Sequence, residues 1–249
     1  MLNTRNALRQ GLLKAGYKVQ RAGVPADISD RAFRDSARRC QPYTQTSPER
    51  MYALWQAVEH IERRAVAGDI VECGVWRGGS SMLAALAAAH FGHSSRHLWL
   101  FDTFAGMSDP GPDDLYADGT PIATDWQKRA NPADPLFCYA GLDEVRANLA
   151  TTGYPQERVS YVQGKVEDTL ADARVEQVSI LRLDTDWYES TKLELEIFWD
   201  RISPNGVLII DDYGDWQGAR RAVDEFFEGR SDAPLLIRVD STARTAVKR

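Results

Sequence analysis

From Asp69 onward the chain alternates short apolar runs, each ending in a polar residue or glycine, with amphipathic stretches of ten residues or more. This is the pattern of βα units, and few architectures accommodate it. The runs Asp69–Cys73, His97–Asp102, Val159–Gln163, Val178–Asp184 and Val207–Asp211 read as strands. Gly79–Phe91, Leu142–Thr152, Ser190–Arg201 and Trp216–Glu228 read as helices. Strands that are apolar throughout belong to a sheet covered on both faces, so the expected fold is α/β with a mostly parallel, doubly wound sheet. Leu235–Val239 and Thr245–Lys248 flank Asp240-Ser241-Thr242-Ala243, which suits an antiparallel C-terminal hairpin at the sheet edge. Residues 1 to about 65 read as helical, with Leu8, Leu12 and Ala15 at helical spacing. Ser47-Pro48-Glu49 signals a helix start: a serine N-cap, a proline with fixed φ and an acid at the positive end of the dipole. Ala105–Pro135 is too long for a routine connection and reads as a lid or binding loop.

Composition narrows the function. Thirty-six acidic against 30 basic side chains give a net charge of −6, which argues against binding phosphate backbones. Nucleic acid is not an expected partner. The longest apolar run, Met82–Ala89, is far short of the roughly 20 residues of a membrane span, and Arg5, Arg9, Lys14 and Lys18 interrupt the start where a signal peptide would be apolar. A cytoplasmic location is expected. Cys40, Cys73 and Cys138 stand too far apart for a disulfide framework or a zinc knuckle. The four histidines form no catalytic set, and no G-x-S-x-G elbow is present.

The segment DIVECGVWRGGSSMLAAL runs strand, turn, helix. Gly74, Gly78 and Gly79 allow a sharp turn and bring main-chain N–H groups toward a ligand, with Ser80 and Ser81 opening the helix. The spacing G-x-x-x-G-G departs from both the dinucleotide and the phosphate-loop patterns. Glu72 precedes the glycines, where a carboxylate suits an ammonium group, and Asp102 closes the second strand, where it can accept from ribose hydroxyls. Together they describe a nucleoside with a positive tail, as S-adenosylmethionine is. Three glycines also suit a plain tight turn, and only the ordered pair of features favours the ligand.

The fourth strand runs into LRLDTDWYESTK and the fifth into LIIDDYGDW. Adjacent strands would bring Asp184, Asp186, Asp211 and Asp212 to one crevice, where like charges persist only by protonation or by binding a cation. Oxygen ligands without histidine or thiol favour Mg2+, Mn2+ or Ca2+, and Mg2+ is the expectation. Such an ion could hold a substrate hydroxyl and lower its pKa, and a methyl sulfonium in line would make the outcome methyl transfer. A lysine or arginine neutralising this pocket would remove the basis for that chemistry. A nicotinamide dehydrogenase on the same kind of sheet is the competing enzyme class, and a partner-binding protein using the basic N-terminal helix is the competing non-enzyme.

VECGVWRGGSS, LFDTFAGM, LRLDTDWYESTK and IIDDYGDWQGARRAVDEF, in this order, resemble the macrocin O-methyltransferase (TylF-like) family, whose members methylate sugar hydroxyls in macrolide and aminocoumarin antibiotic pathways. The resemblance runs from about Ser47 to the C-terminus. It implies a Rossmann-like class I methyltransferase (66–249) using S-adenosylmethionine and Mg2+, with an N-terminal helical lid and dimer contact (1–65), as a homodimer. By motif, Glu72, Gly74, Val75, Arg77, Gly79 and Ser80 would line the methionine end. Asp102 would bind the ribose, with Thr103 and Phe104 beside the adenosine and Gln163 and Gly164 flanking the adenine. Asp184, Asp211 and Asp212 would hold the metal. Asp186 would be the general base, a role its place as the spare carboxylate also permits; Lys192 is a rival, although salt-bridging to Glu189 or Glu196 suits its helix better. The expected substrate is a sugar or a glycosylated small molecule, with a surface polysaccharide as the alternative. The loop Gly106–Pro121 would fold over it, and its charge run Asp109, Asp113, Asp114 and Asp118 reads as solvated. Trp187, Tyr188 and Trp216 are candidates for an apolar substrate wall or for core packing. Tyr43 and Thr44, ahead of the capped helix, are candidates to reach into the site from the lid, with an ordinary buried tyrosine as the favoured reading.

Overall fold

The computed structural model describes residues 23–92 and 95–249. The helix expected from Leu8, Leu12 and Ala15, and His93, lie outside them. Among the described residues seven strands form one sheet in the order β3-β2-β1-β4-β5-β7-β6. They are β1 (Asp69–Cys73), β2 (Leu98–Asp102), β3 (Val159–Gln163), β4 (Val178–Leu183), β5 (Ile202–Ile210), β6 (Ile237–Arg238) and β7 (Arg244–Val247). β1 to β5 run parallel, and β7 closes the sheet antiparallel to both β5 and β6. The expected α/β sheet with an antiparallel C-terminal hairpin is therefore present. The hairpin strands are shorter at β6 than the apolar pattern suggests, because Leu235 is exposed outside the ladder.

The described residues form eight α-helices: α1 (Arg31–Cys40), α2 (Pro48–Arg63), α3 (Gly79–Phe91), α4 (Ala123–Arg129), α5 (Leu142–Ala150), α6 (Val166–Thr169), α7 (Tyr188–Phe198) and α8 (Gln217–Phe227). Alternation along each strand divides the core. Val71, Phe101, Leu181, Leu183, Leu208 and Ile210 face a cluster with Leu195, Phe198 and Trp199. Ile70, Ile180, Val207 and Ile209 face the other cluster, which contains Phe33, Trp55, Val58, Ile61 and Leu83. α1 and α2 thus share one core with the sheet. Ser47 caps α2 as its sequence signals, accepting from the Arg50 N–H at 3.1 Å.

The long connection after β2 is ordered. It carries α4, a bridge between Leu115 and Pro121, and an apolar cluster of Ile122, Trp126 and Trp187 with Met107, Tyr116, Phe137 and Trp216 packed against it. Of its acids Asp109 and Asp118 are exposed, as a solvated run would be, whereas Asp114 is buried, which corrects the reading at that position. Asp114 is only 2% exposed and accepts from the N–H groups of Gly111 (2.6 Å) and Tyr188 (2.7 Å), supplying α7 with the cap that its own Trp187 lacks. Asp109 accepts from the Trp126 indole, and Asp113 pairs with Arg221. Among the described residues no helix is long and apolar enough to cross a membrane.

Candidate active site

Register places the site. Phe101, Cys73, Leu183 and Ile210 stand side by side in β2, β1, β4 and β5, so Asp102, Gly74, Asp184 and Asp211 leave the sheet together at its carboxyl edge. A cleft of about 370 Å³ opens there, within the range of small-molecule sites. Gly74 is required by the sheet itself: its φ is +81°, and a Cβ would lie 1.9 Å from the carbonyl oxygen of Asp184. At Gly79 a Cβ would lie 2.5 Å from the Tyr43 carbonyl, so the start of α3 abuts the segment leading into α2.

Asp102 organises the glycine loop. Its Oδ2 accepts from the N–H groups of Val75 (2.6 Å) and Trp76 (3.0 Å), and its Oδ1 from the Phe104 N–H (2.6 Å). Burial pushes its carboxyl upward against those three bonds. The loop N–H groups therefore meet Asp102 as well as the cleft, a brace that spacing alone does not reveal.

The second group of acids converges as expected. One ligand oxygen from each of Asp184, Asp211 and Asp212 lies within 4.8 Å of the others. Asp186 stands beside them with φ +69°, a left-handed conformation that aspartate tolerates better than most residues. Its Oδ1 accepts from the Trp216 indole N–H at 2.5 Å. Burial lifts the Asp186 carboxyl to about 7, partly opposed by that indole. Burial, reinforced by the neighbouring aspartates, also pushes Asp212 well above the ordinary range, and burial raises Asp184 against the pull of Arg182.

Two arginines enter the cluster, the kind of group that would remove the basis for metal chemistry if it neutralised the pocket. Arg182 lies inside β4, its side chain 5% exposed, and reaches Glu72 (2.8 Å), Asp184 (2.6 Å) and Asp211 (2.8 Å). Arg50, from the first turn of α2, pairs with Asp211 and with Asp240 (3.1 Å). Neither guanidinium pairs with Asp186 or Asp212. Two cations against Glu72 and four aspartates leave an excess of buried acid, which a dication would offset. An all-oxygen donor set of this size fits a hard cation of the magnesium type.

Other expected site residues divide. Gly74, Val75, Ser80, Asp102, Thr103 and Gly164 line the cleft. Glu72 lies behind it, committed to Arg182 and the Ser81 hydroxyl. Arg77 turns away to Glu144 (2.6 Å) and the Pro42 carbonyl (3.0 Å); Gly79 packs on Tyr43; Phe104 is buried in the core; and Gln163 is exposed. Lys192 points to Tyr188, whose hydroxyl raises its pKa, the opposite of what a base requires, and it makes no salt bridge with Glu189 or Glu196. Trp187 and Tyr188 are packed inside, whereas Trp216 lines the cleft. Tyr43 also lines it, with Thr44, which agrees with the reading that these two reach into the site and corrects the favoured one of Tyr43 as plain core. Arg50 and Arg182 went unnoticed in the sequence; the signal for Arg182 was a charge inside the otherwise apolar run SILRL, which demands buried partners.

The chain matches the macrocin O-methyltransferase (TylF) family over residues 5–247. It is 37% identical over 172 residues to the 8-demethyl-8-(2,3-dimethoxy-alpha-L-rhamnosyl)-tetracenomycin-C 4'-O-methyltransferase of Streptomyces olivaceus, covering 69% of this chain and 62% of that one. The alignment thus spans under two thirds of that relative. With the demethyldecarbamoylnovobiocin O-methyltransferase of Streptomyces niveus it shares 31% identity over 198 residues, 80% of this chain and 72% of the other. The solved structure of the O-methyltransferase NovP superposes with a TM-score of 0.72 at 30% identity, covering 83% of this chain and 82% of that one.

Proposed function

Because this chain belongs to the macrocin O-methyltransferase family, we propose that it moves a methyl group from S-adenosylmethionine to a hydroxyl of a sugar, free or carried on a glycosylated specialised metabolite. The family match removes the nicotinamide dehydrogenase reading. The observation that carries the proposal is the meeting of Asp184, Asp211 and Asp212 with Asp186 at the same sheet edge as the glycine loop. In the reaction the C–S bond of the sulfonium breaks, an O–CH3 bond forms, the hydroxyl proton passes to Asp186, and S-adenosylhomocysteine leaves.

Each part of the chain has a share in this step. Gly74, Val75, Ser80, Asp102, Thr103 and Gly164 offer the donor its wall. Asp184, Asp211 and Asp212 would hold Mg2+, which when bound would supply Lewis acidity to the substrate hydroxyl. Arg182 and Arg50 hold Asp184 and Asp211 in place from behind and from α2. Asp186, raised to about 7 by burial, is matched to taking a proton near neutrality. Met107, Leu136 and Trp216 give the acceptor an apolar boundary. The remaining acceleration comes from alignment of the two substrates. The protein would work in the cytoplasm as a homodimer, with residues 1–65 as lid and subunit contact.

The test is a transfer assay with methyl-labelled S-adenosylmethionine against methyl α-L-rhamnoside, a rhamnosylated polyketide, a bacterial polysaccharide and catechol. Label on a sugar hydroxyl supports the proposal. Label on catechol alone, or on no acceptor, refutes it.

A further inference from the structure

Trp216, which lines the cleft, is held from several sides. Its ring lies 5.6 Å between centroids from Tyr116, which comes from the long connection after β2, and 5.6 Å from Trp187, at the start of α7. Its own N–H donates to the Asp212 carbonyl at 3.2 Å, and the following residue, Gln217, is tied through its N–H to the Leu115 carbonyl and through its side chain to the Ala117 carbonyl. The indole N–H therefore has a fixed origin and direction, and it ends on Asp186 Oδ1 at 2.5 Å.

Asp186 lacks comparable restraint from its own segment. It sits on a left-handed turn between β4 and α7, and two side chains meet its carboxylate: the indole, which donates to Oδ1, and the carboxyl of Asp212. Of the two, only the indole carries a fixed proton and stands outside the set of acids that would hold a cation. A carboxylate acting on a substrate hydroxyl must keep its orientation, because a small misplacement costs rate without costing binding.

We propose that Trp216 is the positioning residue for Asp186: its indole N–H fixes one carboxylate oxygen so that the other faces the acceptor hydroxyl. The inference rests on the reading of Asp186 as the base. It makes the connection after β2 part of the catalytic geometry, because Tyr116 and the carbonyls of Leu115 and Ala117 are what hold the tryptophan and its neighbour.

Trp216→Phe keeps an aromatic ring and deletes the N–H. A second variant, with benzothienylalanine at position 216, keeps the full bicycle and replaces only the N–H by sulfur. Steady-state kinetics on the sugar acceptor that turns over should show kcat lower by about tenfold or more in both variants, and in the benzothienyl variant, which keeps the apolar boundary intact, the acceptor KM and the affinity for S-adenosylhomocysteine should stay within about twofold. Asp186→Asn combined with Trp216→Phe should be no slower than Asp186→Asn alone, since the two residues act as one unit. Independently of any acceptor, the Trp216 indole among the seven indole N–H resonances should exchange slowly with solvent and lose that protection in Asp186→Ala. Wild-type kcat in the benzothienyl variant, a raised KM with unchanged kcat, or an indole proton indifferent to Asp186→Ala would overturn the inference. Full activity of Asp186→Asn would instead refute the reading of the base beneath it.

Discussion

Arg182 and Asp211 meet across neighbouring strands, Nη2 to Oδ1 at 2.8 Å, with both side chains about 5% exposed or less. The same guanidinium binds Glu72, its register partner on β1, and Asp184, two residues along its own strand. Burial works against the charge of Arg182, and the three acids outweigh it, leaving its pKa well above the ordinary value. Removing the cation alone leaves its partners buried and uncompensated. Arg182→Met should therefore cost about 3–5 kcal/mol of stability, read by urea unfolding, and a loss below about 1 kcal/mol would contradict this role.

Asp114 should behave as a cap contributed from outside its helix. Asp114→Ala strips acceptors from the N–H groups of Gly111 and Tyr188 and should cost about 1–2 kcal/mol. The loss should localise: limited proteolysis should cut between residues 109 and 121 sooner than in the parent. Unchanged cleavage would mean that the apolar cluster around Trp126 holds the connection without the cap.

Glu194 gives the chain a pH dependence of known sign. It is fully buried in α7, with Oε1 accepting from the Thr185 hydroxyl at 3.0 Å and Oε2 without a partner. Burial pushes its carboxyl well above the ordinary range despite that hydroxyl. A carboxyl raised on folding favours the folded state fully below its unfolded pKa of about 4.3 and loses that contribution as pH rises toward the folded value. Glu194→Gln should therefore gain melting temperature relative to the parent as pH rises from about 5 to 8. A constant difference between the two proteins over that range would show that Glu194 does not titrate on unfolding.

Much of the fold was legible because its signals are local. Short runs that end at Gly74 and at Gly164 locate β1 and β3 to the residue, and Ser47-Pro48-Glu49 locates the start of α2. β5 begins five residues earlier than its apolar run, because Ser203, Pro204, Asn205 and Gly206 join the strand through contacts made elsewhere: the Ser203 hydroxyl donates to Ala67, and the Asn205 N–H to Lys248. In the site, the acids of LDTDW and IDDY were readable as a pair of clusters because parallel strands deliver their ends to one edge. What counters them was not. Arg50 is 161 positions from Asp211 in sequence, and no spacing rule joins them. The place of Asp102 at a strand end suggests a ligand, whereas its bonds to Val75 and Trp76 arise from the turn that the same glycines create.

On the proposed function Asp184, Asp211 and Asp212 hold a divalent cation, with Arg50 and Arg182 as supports and not substitutes. Enzyme dialysed against a chelator should transfer no methyl label from S-adenosylmethionine to its sugar acceptor, recover on addition of Mg2+, and fail to recover when Asp212 is replaced by Asn. Transfer at the full rate by the dialysed enzyme would contradict the account.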